Sequence, residues 1–286
     1  MRVPAAFSTA LRPVLTGPVQ PAEWLGASPS ALYLVARSGA VLAIVTHDAA
    51  RLPCSLVLAS TAAELPLIDL APRAARRLAS PASVGAGRVQ WYGPTSIVTV
   101  TATREWAPSV ITAAPPLPAA LDQLSTAVAT HDIGIEASWV ARLACAGAGP
   151  EAQFAAVTAL LGRGPGLTPS GDDVVAGFLL GARAFGSAVP SGSDGEDAGA
   201  AVPGAAAAVT ELAGHATTAL SAQLLRHAMR GECVVQVATA VAALAGRRAP
   251  LDAIDRLLAL GHTSGAALAT GLLTAAALPV VVGGVR

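Results

Sequence analysis

Lysine is absent from all 286 residues, so the 18 basic side chains are arginines. Without a lysine amine the chain cannot form a Schiff base with a carbonyl substrate, link pyridoxal phosphate or supply a P-loop lysine. Excess charge is lacking too. The 18 acidic residues balance the basic ones at a formal net charge of zero, and no block of five like charges gives the electrostatic footprint of a nucleic-acid partner. Aromatic residues make up 3% and charged residues 13%, against 53% hydrophobic. A core built from Ala, Val and Leu suits closely packed helices better than an aromatic-rich binding face, and it excludes global disorder. Cysteine is scarce: Cys54, Cys145 and Cys233 are odd in number and never form a CxxC pair. That argues against a disulfide framework and a thiolate metal site, and fits a reducing cytoplasm. A secretory pattern is also missing from Met1-Arg-Val-Pro-Ala-Ala-Phe7, because Arg12 and Pro13 interrupt any apolar stretch.

One long uncharged stretch is present. Thr263 to Val285 is long enough to span a bilayer, and the mean hydropathy is +0.58. Its Ala and Gly content contributes little transfer free energy, Pro279 interrupts it, and no aromatic belt flanks it. The stretch therefore reads as a buried helix followed by a short strand, Pro279 to Val282, and no membrane partner is expected.

The chain length suits one large domain or two modest ones, and the hydrophobic period changes along it. From Leu15 to Val100 it favours strands, with runs at Ala31–Ala36, Val41–Thr46, Cys54–Ala59 and Ser96–Thr101. Gly39 marks a hairpin, and Tyr92-Gly-Pro-Thr95 a turn that sets Val89–Trp91 antiparallel to Ile97–Val100. One helix, Pro66 to Leu78, is expected to cover the sheet. The proline-rich stretch Pro108 to Pro118 reads as a linker. Helix candidates then run over 118–130, 135–147, 150–162, 171–185, 204–230, 232–245, 251–260 and 263–277. The expected class is α+β: a mostly antiparallel β domain over 1–115, then an α-helical domain over 116–286. The segment 186–197, rich in Gly and Ser, is expected to be a mobile loop. No repeat of fixed period is visible, although Ser170-Gly-Asp-Asp173 and Ser264-Gly-Ala-Ala267 both open Gly-rich helices.

The chemistry-bearing string is Gly162-Arg-Gly-Pro-Gly-Leu-Thr-Pro-Ser-Gly-Asp-Asp173. Gly164 and Gly166 permit unusual backbone angles and the prolines stiffen the turn, so successive amides could face one anion. Ser170 is placed as an N-cap, with Asp172 and Asp173 in the first turn, where the helix dipole favours carboxylates. A strongly capped helix start would use many of the same residues. A cap needs only one of them, however, while Arg163, Thr168, Ser170, Asp172 and Asp173 crowd a single turn. The string lacks the GK[ST] ending of a P-loop and is no GxGxxG fingerprint, yet a helix N-terminus still suits phosphate or a small carboxylate. Two carboxylates beside an anion repel unless a cation, amide or proton donor intervenes. The pair could hold a divalent ion such as magnesium that bridges to phosphate, or accept hydrogen bonds from a substrate amino group.

Further along, His215, Thr218, Ala222 and Arg226 fall at helical spacing on one stripe. Thr217, Thr218 and Ser221 are polar contact candidates, and His227 reads as a surface residue. Gly261-His-Thr-Ser-Gly265 offers Thr263 or Ser264 as a cap, with glycine on either side for close approach. No Ser-His-Asp or Cys-His triad is supported, since no local nucleophile signature occurs.

The first string, continued to Gly177, together with His215-Ala-Thr-Thr-Ala-Leu-Ser-Ala222 and Gly261–Gly265, resembles the oxamate carbamoyltransferase subunit AllH family. The resemblance runs in motif order over roughly residues 90–280. It implies a subunit of an assembly in anaerobic allantoin degradation that interconverts oxamate plus carbamoyl phosphate with oxalurate plus phosphate. Partner subunits, in a homo- or hetero-oligomer, and a small anionic metabolite are then the expected partners. On that reading Gly164, Gly166, Ser170 and Gly171 cradle phosphate through their amides, and Arg163 or Arg226 offers a charged fork. Asp172 or Asp173 orients the attacking amide nitrogen, and His215 or His262 moves a proton. Thr168, Thr218, Thr263 and Ser264 complete the binding residues. The alternative is a non-catalytic anion-binding or assembly subunit.

Overall fold

The structure, a computed structural model, describes residues 1–72, 82–144, 149–186 and 202–278. It divides into two compact units, Met1–Pro108 and Ser109–Arg286, and the class is α+β.

The first unit is a closed eight-stranded barrel. Its strands are β1 (Arg2–Ser8), β2 (Gln20–Ala27), β3 (Ala31–Ala36), β4 (Val41–Val45), β5 (Ser55–Leu58), β6 (Ala82–Gly85), β7 (Arg88–Tyr92) and β8 (Ile97–Trp106), with a short helix α1 at Arg12–Thr16. Pairing is antiparallel except between β4 and β5 and where β8 closes onto β1. Closure leaves no sheet edge to aggregate. Gly39, at φ 83°, makes the turn between β3 and β4, and Val89 pairs with Val100 and Trp91 with Val98. Leu32, Leu34, Leu42, Ile44, Leu56 and Leu58 are all at most 1% exposed, each removal from water contributing about 1.5–3 kcal/mol.

Two differences from the sequence reading stand out here. Strands β1, β2 and β6 were not expected: Pro4 and short alanines weaken the local signal in β1, which is a strand because β5 and β8 pair with it on either side. The helix expected from Pro66 is instead a single 3-10 turn at Leu67–Leu70, after which Ala71 is extended at ψ 142° and Pro72 follows. The rest of that expected helix, residues 73–78, lies outside the described residues, as do nearly all of the loop expected at 186–197, Cys145, and the strand expected at Pro279–Val282.

The second unit is helical: α2 (Pro118–Val128), α3 (Ala137–Ala144), α4 (Pro150–Leu160), α5 (Ser170–Phe185), α6 (Pro203–Ala216), α7 (Ala219–Met229), α8 (Val235–Leu244), α9 (Pro250–Leu258) and α10 (Ser264–Ala276). A two-residue strand, Glu232–Cys233, pairs with Ser109–Val110, so the helix expected from 232 starts only at Val235. Ile111 and Ala114, in the stretch read as linker, are buried, and their amides donate to the carbonyls of Gly231 and Ala184. Among the described residues no helix is long and apolar enough to cross a membrane.

Helix α5 is the centre of this unit, since every one of its residues except Arg183 is buried. It runs parallel to α10, because contacts advance along both helices together, from Ser170 beside Thr263, through Gly177 against Leu268, to Gly181 against Leu272 and Ala275. The approach is backbone to backbone. A Cβ on Gly177 would stand 2.1 Å from the Leu268 carbonyl oxygen, and one on Gly271 the same distance from that of Val174. Only glycine admits such contact.

The helix expected over 204–230 is broken. Thr217 is extended at φ −140°, ψ −175°, and the Thr218 hydroxyl caps α7 by accepting from the Ser221 amide at 3.0 Å. His215 ends α6 and Arg226 sits in α7, so the stripe at helical spacing does not exist. His227 is 1% exposed, contrary to its reading as a surface residue. Its ring contacts Glu232, Arg230 and Gln223, a polar set that allows an imidazole to be buried.

Candidate functional site

Two similar corners meet where α5 and α10 begin. In each, a helix ends on leucines, a glycine with positive φ turns the chain (Gly162 at 72°, Gly261 at 58°), and a Ser-Gly pair opens the next helix. Gly171 packs its α-carbon on the Leu160 carbonyl and donates its amide to Arg163, while Gly265 packs on the Leu257 carbonyl and donates to Leu260. The likeness between Ser170-Gly-Asp-Asp173 and Ser264-Gly-Ala-Ala267 is thus one of backbone geometry. Because α5 and α10 are parallel, both positive helix ends face the same point.

Hydroxyls line this junction. Ser170 Oγ is 3.1 Å from Thr263 Oγ1, and Thr168 Oγ1 is 3.3 Å from Ser264 Oγ. The residue preceding α5 in capping position is Pro169, at φ −52° and ψ 138°, with Ser170 already inside the helix. Ser170 is therefore not the cap expected of it, and its hydroxyl is spent across the junction. Thr263 does hold the capping position of α10, but its hydroxyl likewise turns to Ser170 and makes no capping bond.

The two carboxyl groups differ in role. Asp172, 2% exposed, accepts from the Gly162 amide at 2.8 Å through Oδ1 and from the Thr217 hydroxyl through Oδ2. It locks the glycine-rich loop to the break between α6 and α7. Burial raises its pKa, and the bonds from Thr217 and Gly162 hold it back. Asp173 is 8% exposed, and its Oδ2 is buried without a hydrogen-bond partner. Burial pushes this carboxyl up to about 8, tempered by the Ser264 hydroxyl and reinforced by the charge on Asp172. The two helix N-termini favour its charged form and work against that rise.

The loop is pinned from a third side, where the Leu167 carbonyl accepts from the Thr218 hydroxyl at 2.5 Å and from Ser221 Oγ at 3.5 Å. Gly164, at φ 110°, brings the loop against the start of α5, whereas Gly166, at φ 91°, has open space around it. The fold therefore gathers Thr168, Ser170, Asp172, Asp173, Thr218, Thr263 and Ser264 around one loop.

The other candidates stand apart. The Arg163 guanidinium lies over the Trp139 ring at 4.9 Å and donates to the Ala159 carbonyl, so the expected charged fork is engaged with α3 and α4. The Gly171 amide expected to hold phosphate already donates to the Arg163 carbonyl at 2.9 Å. Arg226 is exposed alongside Gly214. His215 and His262 are exposed and make no hydrogen bond to the junction among the described residues. No three His, Cys, Asp or Glu residues among those described stand close enough together to hold a metal ion, so a magnesium ion on Asp172 and Asp173 would need ligand oxygens to complete its shell. The anchoring groups that sequence reasoning missed, the Gly162 amide and the Leu167 carbonyl, belong to the backbone and leave no side-chain signature.

No solved structure matches the chain. The family model described as oxamate carbamoyltransferase subunit AllH matches residues 160–276. That segment opens on the last residue of α4 and closes on the last residue of α10, so it contains every residue of the junction.

Proposed function

Taking the match of residues 160–276 to oxamate carbamoyltransferase subunit AllH as premise, we propose that this chain is a subunit of a carbamoyltransferase acting on oxamate and carbamoyl phosphate, or in reverse on oxalurate and phosphate. The junction of α5 and α10 is its small-anion site. The observation that carries this reading is the unpartnered Asp173 oxygen, buried beside two parallel helix N-termini and a set of hydroxyl groups.

An anion beside two aspartates would be repelled if both were ionised. Asp172 has its charge answered by an amide and a hydroxyl, and Asp173, raised to about 8, carries a proton at neutral pH. A neutral Asp173 is a hydrogen-bond donor to an anion, and an ionised one an acceptor from an amide N–H. In carbamoyl transfer the amide nitrogen of oxamate attacks the carbamoyl carbon, the carbon–oxygen bond to phosphate breaks, and the nitrogen loses one proton. The departing phosphate takes up that proton, while protonated Asp173 donates a hydrogen bond to an anionic oxygen and the hydroxyl groups of Ser170, Thr263, Thr168 and Ser264 supply further donors to developing oxyanions. Asp172 positions the loop.

A second reading is that this chain binds the anion and a partner subunit supplies the reacting groups. The exposed positions of His215 and His262 favour it, since neither reaches the junction as a proton shuttle.

The test is a thermal-shift titration of the purified chain with carbamoyl phosphate, phosphate, oxamate and oxalurate, with and without magnesium, because a selective ligand raises the melting temperature by mass action. A shift lost in Asp173→Asn supports the junction as the site. Turnover by this chain alone would exclude the second reading. Selective binding with turnover only when partners are added agrees with both readings, and no shift with any of the four sets the proposal aside.

A further inference from the structure

The β-barrel unit carries a cavity that the family match does not reach. Its volume is about 450 Å³, and it is lined by residues of β1 and of its two neighbours, β5 and β8, with the β4–β5 connection. This is within the usual range for small-molecule sites. The sequence creates the space in two ways. Ala6 and Ala59 give a floor of short side chains, and a bulge in β8 between the partners of Ala5 and Ala6 leaves Thr103 as an extra residue. The bulge sets Arg104 beside Ala6 and Trp106 beside Ser8. Bulges at barrel rims commonly re-aim side chains in this manner.

The lining is one-sided in charge. His47 and Arg51 come from the β4–β5 connection and Arg104 from β8, and among the described residues no acidic residue lines the cavity. Of the acids nearest in sequence, Asp48 accepts from the Ala62 amide at 3.0 Å and its charge also acts on His47, while Glu105, on the opposite face of β8, accepts from Arg12 Nε at 2.8 Å. Arg51 and Arg104 form no ion pair among the described residues. The Trp106 indole N–H is buried without an acceptor, and a buried unsatisfied donor costs about 1–3 kcal/mol.

We propose that this cavity binds a small organic oxyanion, a carboxylate or phosphate attached to an apolar or planar body. Arg51, Arg104 and His47 meet the charge, and Trp106 with the alanine floor meets the body. Arginine suits this role because its fork matches an oxyanion in two places and its plane stacks on rings. The site is separate from the junction of α5 and α10 and stands or falls independently of it.

The four tryptophans give four indole signals in a nitrogen-15 correlation spectrum of the full chain, and Trp106→Phe assigns the relevant one. Titration with benzoate should move the Trp106 signal saturably while the Trp139 signal stays still, and inorganic phosphate should act more weakly because it lacks the apolar body. Arg51→Gln with Arg104→Gln should reduce the benzoate affinity at least tenfold, and Ala6→Leu, which fills the floor and keeps the charges, should abolish the response. An unmoved Trp106 signal, equal linear drift of all four, or undiminished affinity in the arginine variant would each overturn the proposal. Retained dispersion of the other indole signals shows that a variant is folded.

Discussion

The hydroxyls of Ser170 and Thr263 lie 3.1 Å apart across 93 positions of sequence. They can do so only because the helices behind them touch backbone to backbone through Gly177 and Gly271. A methyl group at Gly177 would meet a carbonyl oxygen at 2.1 Å, while one at Gly166 would meet nothing within 4 Å. Gly177→Ala is therefore expected to destabilise the chain by about 1–3 kcal/mol, the usual cost of overpacking. Gly166→Ala should cost about 1–2 kcal/mol from backbone strain alone. Denaturant midpoints compare the two, and only Gly177→Ala should weaken anion binding at the junction through displacement of α10.

Asp172 and Asp173 are neighbours with opposite expected behaviour. Asp172→Ala strands the Gly162 amide and the Thr217 hydroxyl and should cost about 1–3 kcal/mol, with a looser loop. Asp173→Asn keeps the shape and removes a buried acid with an unpaired oxygen, so at neutral pH it should be neutral or stabilising. Chemical denaturation of both variants distinguishes them.

The pH dependence follows from Asp173. Its carboxyl is raised to about 8 from 3.8, so between those values the folded chain holds a proton that the unfolded chain has released. The stability this group contributes is fully present below 3.8 and is lost as pH rises through about 8. Wild type should therefore lose stability relative to Asp173→Asn over that window and run parallel to it above. A midpoint well below 8 would measure how far the two helix N-termini offset burial. A constant difference between the two proteins would refute a buried, titrating Asp173.

Thr218 both caps α7 and holds the Leu167 carbonyl. Thr218→Ser should keep both bonds and Thr218→Val should lose both, at a cost of about 0.5–2 kcal/mol for the cap alone. Faster proteolysis or amide exchange around Leu167 in the valine variant only is the expected signature.

Burial pushes the thiols of Cys54 and Cys233 up to about 12. Neither should be alkylated by iodoacetamide in the native chain at mildly alkaline pH, and both should react after denaturation, with mass spectrometry reading the sites.

Much of the fold was legible because local patterns agreed with it. The β-branched runs around Gly39 and on either side of Tyr92-Gly-Pro-Thr95 are strands, and helix starts marked by Pro118, Pro150 and Ser264 lie within a residue or two of their expected places. Strand β1 was not legible, since its partners β5 and β8 are distant in sequence. Nor was the break at Thr217, where the bonds from Thr217 to Asp172 and from Thr218 to the Leu167 carbonyl outweigh an uninterrupted helical pattern.

The sequence by itself determined the α+β class, the glycine-rich loop and the residue types crowded upon it, because turn chemistry, periodicity and capping act over a few residues. Only the tertiary structure decided which of them meet. Glycine contacts between α5 and α10 set Ser170 and Thr168 against Thr263 and Ser264, and burial made Asp172 an anchor and left Asp173 unpaired. The same packing left His215 and His262 outside and turned Arg163 onto Trp139. Charge, hydrogen bonding and exposure depend on neighbours brought in from about a hundred residues away, and no local pattern encodes them.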